Sequence, residues 1–137
     1  MGLDMYLVGE VWVSHNDKEA GLFAVIDGYP VQRHELDLGY WRKHRHLHGY
    51  IVTTFAEGVD MCQKIELSAE NCRQIAKALR AEDLPHTEGF FFGNESIDEV
   101  DRLEKEAHAV TFEKAADWKE SKGKKDWKHS IHYQASW

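Results

Sequence analysis

Three histidines, His44, His46 and His48, alternate with Arg45 and Leu47. On an extended strand, side chains two apart share a face, so all three imidazoles would converge as a divalent Zn, Mn or Ni site needs. On a helix only His44 and His48 share a face, and further ligands must come from elsewhere, from Asp98 or Asp101. A metal-dependent hydrolase or nuclease would therefore be built on His44, His46, His48 and Asp98. The plainer reading of the three imidazoles is an exposed histidine cluster on a basic turn. Immediately upstream, Tyr40-Trp41-Arg42-Lys43 lies close to Arg45. Cations of this kind neutralise phosphate, and aromatic faces stack on bases. Together with His48, these residues form a candidate contact site for a small anionic ligand or a partner protein. In the structural alternative, Tyr40 and Trp41 are core residues at a helix start, the cations are solvated, and Arg42 holds a buried Asp4. His129 and His132 are three apart on an expected strand and point to opposite faces. No Ser-His-Asp or Cys-His order, phosphate-cradling glycine loop or Cys-x-x-Cys pair occurs, so nothing in the motifs demands an enzyme.

The elements that must position these groups can be read from periodicity. Leu3 to Val13 alternates with apolar residues on both sides, as an interior strand does. The polar stretch 14–20 reads as a turn, and 22–26 as a strand running into Asp27-Gly28, a hairpin dipeptide. Pro30 delays the return strand to about Val31–Leu36. Residues 40–57 suit a helix through Tyr40, Leu47, Ile51 and Phe55, yet Leu47, Ile51, Thr53 and Phe55 also fit a strand. Met61 to Leu67 alternates. Ser68 then caps a helix with Ala69, Cys72, Ile75, Ala76 and Leu79 on one face, ending before Leu84-Pro85. Gly89 to Gly93 is a short apolar run between glycines, and Ser96 to Glu99 reads as a capping box. That box opens a helix to about residue 119 whose apolar positions are Val100, Leu103, Ala107, Val110 and Trp118. A half-exposed strand from Trp127 to Trp137 closes the chain; left uncovered, it would pair readily across a homodimer edge. The sum is a single α+β domain over residues 1–137: an antiparallel or mixed sheet with about three helices on one side.

With 137 residues and 42% hydrophobic content, one core is sustainable, and burial of roughly two-thirds of the unfolded surface makes a stabilising metal or disulfide unnecessary. Cys62 and Cys72 read as reduced. The first residues lack a basic start and a long apolar run, so the expected setting is the cytoplasm, with no membrane segment. A net charge of −7 disfavours whole-surface affinity for nucleic acid. Weak nucleic-acid binding would rest on the basic patches 42–48 and 119–128. The acids Asp98, Glu99, Asp101, Glu104 and Glu106 are interleaved with Arg102 and Lys105, as on a solvated helix face.

Three blocks carry a resemblance: Gly2-Leu3-Asp4-Met5-Tyr6-Leu7; Gly39-Tyr40-Trp41-Arg42-Lys43 with Leu47-His48; and Leu84-Pro85 leading to Gly89-Phe90-Phe91-Phe92-Gly93 with Asp98 beyond. Their order resembles a family of short uncharacterised proteins common in bacteriophages, prophages and bacteria. The resemblance implies an α+β fold in which the Tyr-Trp-Arg-Lys stretch opens a helix, and a phage or prophage accessory role with no catalytic residues to carry over. His44, His46, Gly49 and the alternating tail depart from that pattern. The leading expectation is a non-enzymatic protein, monomer or homodimer, that binds a host protein or a small anionic ligand. Its contact residues are Tyr40, Trp41, Arg42, Lys43 and His48, with Gly89 to Gly93 shaping the neighbouring surface.

Overall fold

The computed structural model of the chain describes residues 2–13, 24–81 and 102–137. Leu84-Pro85, the Gly89 to Gly93 run, the Ser96 to Glu99 capping box and Asp98 lie outside the described residues. Strand β1 (Asp4–Trp12) is interior, with Met5, Leu7 and Val11 buried on one side. The opposite row is less covered than its apolar content suggests: Tyr6 is 39% and Trp12 40% exposed. A turn at Asp27-Gly28, both residues at positive φ, joins β2 (Val25–Ile26) to β3 (Tyr29–Pro30). Pro30 does not delay this return, because the hairpin bond is made by Val31, whose N–H donates to the Ala24 carbonyl at 2.8 Å.

Strand β4 (Arg33–Arg42) runs antiparallel to all of β1, from Arg33 opposite Trp12 to Arg42 opposite Asp4. Tyr40, Trp41 and Arg42 therefore belong to a strand, where the sequence pattern suggested a helix start. Ladder pairing with Tyr6, Met5 and Asp4 decides it, and Trp41 is buried against His108 and Phe112. The strand ends at Lys43, whose φ is +59° and whose N–H donates to Leu3. Helix α1 (Arg45–Phe55) follows, burying Leu47, His48, Ile51 and Val52.

After the short strand β5 (Ile65–Leu67), helix α2 (Ala69–Arg80) opens on a reciprocal cap. The Asn71 N–H donates to Ser68 Oγ, and the Ser68 N–H donates to Asn71 Oδ1, each at 3.0 Å. Helix α3 (Arg102–Glu120) lies against α2, and β6 (His129–Ser136) completes the sheet. The face α3 buries is not the one its large apolar residues mark: Leu103 is 80% exposed, while Ala109, Phe112, Ala115 and Ala116 are buried. Small residues let α3 approach closely. A Cβ on Gly39 would meet the Thr111 side chain at 2.6 Å, and one on Gly9 would meet Trp118 at 3.0 Å. Arg73 to Asp117 and Glu120, and Arg80 to Glu106 and Glu113, pair across the exposed seam between α2 and α3.

The sheet order is β4-β1-β6-β5, all antiparallel. The three helices cover one face, where their apolar residues join Met5, Leu7, Ile131 and Tyr133 in one core. Strand β6 is covered on both edges by β1 and β5, so it offers no free edge for a dimer. Cys62 and Cys72 are free thiols, and burial pushes Cys72 up to about 12.

Candidate functional site

The β1–β4 pairing slips at one point. Leu7 faces Gly39 and Val8 faces Asp37, leaving Leu38 as an extra residue on β4. Strict alternation would place Asp37 and Tyr40, three apart, on opposite sides of the sheet. The bulge turns Leu38 and Gly39 both towards the helices and leaves Asp37 and Tyr40 together on the opposite face, which none of the described helices covers. That face is a ladder of cross-strand rows: Arg42 with Asp4, Tyr40 with Tyr6 and Gln134, Asp37 with Val8 and His132, Glu35 with Glu10 and Ser130, Arg33 with Trp12.

At one end Asp4 Oδ1 accepts from the Tyr40 hydroxyl at 2.7 Å and from Arg42 Nε at 2.8 Å. The bond to Asp4 raises the Tyr40 hydroxyl above its usual value, keeping it a donor. Tyr6 and Tyr40 are in contact, with ring centroids 5.2 Å apart and planes tilted by 44°. They floor a shallow depression of about 350 Å³ completed by Val8, Leu36, Glu35 and Asp37. This is the small end of the range of ligand pockets, roughly 300–1,000 Å³. At the other end Arg33 lies over the Trp12 ring, 5.6 Å from its centroid. Between them Glu10 Oε1 sits 3.3 Å from Lys64 Nζ and 3.4 Å from His132 Nδ1. Burial of His132 outweighs the pull of Glu10 and lowers the imidazole below its usual value.

On the helix side a second polar cluster is enclosed. The His48 imidazole, 2% exposed, meets the Tyr133 hydroxyl at 2.6 Å through Nδ1 and Asp60 at 3.0 Å through Nε2. With Nε2–H given to the carboxylate, Nδ1 accepts from Tyr133. Trp137 Nε1 donates to the other Asp60 oxygen at 3.2 Å. Burial, then the Asp60 charge, raises the Tyr133 hydroxyl well above its ordinary range. Order of this kind resembles a relay, but Tyr133 has no solvent exposure, so the network ties β6 to α1 without offering a nucleophile to a substrate.

The residues singled out from sequence divide between these two places. Tyr40 and Arg42 lie on the open face, Trp41 and His48 are buried on the helix side, and Lys43 is exposed where β4 ends. His44, His46 and His48 do not converge. Arg45 to Phe55 is helical, which turns His46 away, and His44 Nδ1 lies 3.1 Å from His108 while His48 serves Tyr133 and Asp60. Among the described residues no group of three His, Cys, Asp or Glu side chains is placed to hold a metal ion. The basic run 42–48 is likewise not one surface, because His44, Arg45 and His48 are buried. Tyr6, Glu35 and Asp37 escaped the sequence reading. The signal for them was the hidden pairing of Tyr6 with Tyr40, visible only once Tyr40 is placed on a strand. No protein-family profile, curated protein or solved structure matches the chain, and no described helix is long and apolar enough to cross a membrane.

Proposed function

We propose that the protein acts by binding a partner protein through the sheet face opposite its described helices, as a phage or prophage accessory factor in the cytoplasm of a bacterial host. The phage setting rests on the three sequence blocks. The binding role rests on one observation above the others: Tyr6 and Tyr40, in mutual contact and 39% and 51% exposed, floor a depression on a sheet face that none of the described helices covers. Tyrosine presents a large, rigid contact area at low entropic cost and is enriched in protein interfaces. A small anionic ligand is favoured less, since Glu35 and Asp37 border the depression and Arg42 is engaged by Asp4.

The test uses the purified chain as bait in bacterial lysate beside two variants, Tyr6→Ser/Tyr40→Ser on the open face and Arg73→Ala on the α2–α3 seam. A species retained by the wild type and by Arg73→Ala but lost from the double tyrosine variant supports the reading. Identical sets retained by all three proteins would sink it.

A further inference from the structure

The open face holds two of the chain's own arginines, one on a carboxylate and one on an aromatic ring. Arg42 gives its Nε–H to Asp4 beside Tyr40, and Arg33 lays its guanidinium over Trp12. In the rows between them Lys64 and His132 serve Glu10, and Glu35 lies in the field of His132. Beside these, Tyr6 and Tyr40 supply aromatic surface, and the Glu35 and Asp37 carboxylates are exposed at the rim of the depression. We infer that an arginine side chain from an exposed segment of the partner protein occupies this depression, lying against the Tyr6–Tyr40 pair with its N–H edge towards Glu35 and Asp37. The inference rests on the docking role proposed above and names the chemistry of its partner.

Charge and shape both select this occupant. Exposed carboxylates beside the tyrosine rings and Val8 repel an anion and leave a neutral side chain without a polar complement. A planar guanidinium can stack on a ring and offer donors in its plane at once, which a compact ammonium cannot. The bulge at Leu38 matters here because it brings the Asp37 carboxylate to the same side as Tyr40.

The probe is an acetylated and amidated Gly-Ser-Arg-Ser-Gly peptide, titrated into the isotopically labelled chain while backbone amide shifts are followed by NMR. Saturable shifts confined to Tyr6, Val8 and the segment Glu35 to Tyr40 are expected. The same peptide with citrulline in place of arginine, isosteric but neutral, should produce none. Glu35→Gln/Asp37→Asn should weaken the arginine peptide by roughly tenfold or more, as lost charge-assisted bonds do. Glu57→Gln/Glu70→Gln removes the same charge elsewhere and should leave binding unchanged. Equal weakening by both variants would overturn the inference, reducing it to general attraction by a chain of net charge −7. Tighter binding of spermidine at the same amides would overturn it in favour of a free polyamine. A concentration-dependent dimer requiring Glu35 and Asp37 would assign the arginine to a second copy of the chain instead. If the peptide fails while a lysate species still depends on Tyr6 and Tyr40, the face docks a different chemistry and only this inference falls. Failure of both removes the docking role as well.

Discussion

The two sides of the sheet use the same residue types to opposite ends. Beneath the helices, a tyrosine, a histidine and an aspartate (Tyr133, His48, Asp60) satisfy one another, and the tyrosine and histidine are shut away from water. On the open side, Tyr40, Asp4 and Arg42 make an equally short network, yet Tyr40 is 51% and Tyr6 39% exposed, and two carboxylates beside them, Glu35 and Asp37, are exposed as well. A closed network spends its hydrogen-bonding capacity on the fold; an open one keeps part of it for a partner. Polar content alone therefore does not mark a binding site. Unused capacity beside exposed aromatic surface does.

If that division is right, substitutions on the helix side should cost stability and those on the open side should not. The largest loss is expected from Phe112→Ala, because Phe112 has no exposure and packs edge-on against Trp41. Emptying that volume should cost roughly 3–5 kcal/mol, read from a urea denaturation midpoint. Tyr133→Phe keeps the shape but leaves His48 Nδ1 without its donor, which should cost about 1–3 kcal/mol in the same measurement. A smaller effect separates the faces by pH. His132 is held below its usual value in the folded state by burial, with Glu10 opposing, Lys64 adding to the shift, and Glu35 and Arg33 in its field. The unfolded chain thus binds the proton more readily, so stability from this group is full above the unfolded value of about 6.5 and is lost as pH falls below it. Replacing His132 with Gln should flatten the fall in midpoint between neutral and mildly acidic buffer. An unchanged pH profile would show that His132 is solvated in both states. The smallest effect is expected from Tyr6→Ser/Tyr40→Ser, whose thermal midpoint should stay near that of the wild type; a large drop would make the tyrosine pair structural and erase the contrast between the faces.

Much of this was legible in the sequence, for identifiable reasons. Residues that alternate strictly over a full strand, such as Ile131-Tyr133-Ala135, reveal their buried row because the period is locally fixed, whereas β1, apolar on both sides, showed that it was interior but not which row is buried. Ser68 announced α2 because its cap is a contact between neighbours in the chain. Arg42 was paired with Asp4 from chemistry alone, and the structure brings them to 2.8 Å. Failures came where distant segments decide. Tyr40 and Trp41 are strand residues because β1 lies beside them, a fact no local window contains. The buried face of α3 was hidden because alanine carries little hydrophobic signal, and because the choice is made by α2 and by the space above Gly9 and Gly39. The three histidines looked like a set by spacing, but the helix hands His44 and His48 to different partners.

The bulge at Leu38 also sets how β4 can vary by length. A strand is read in twos, and one extra residue changes the phase of everything on its far side. Deleting Leu38 would restore the strand's simple reading frame rather than break it. With the Tyr40 end keeping its pairing, Asp37 would still stand opposite Val8 and Glu35 opposite Glu10, and the loss would be the side chain that packs beside Gly9 under the helices. Substitutions along this strand change one contact at a time, whereas the bulge is the place where β4 can give up a residue without its two faces changing places.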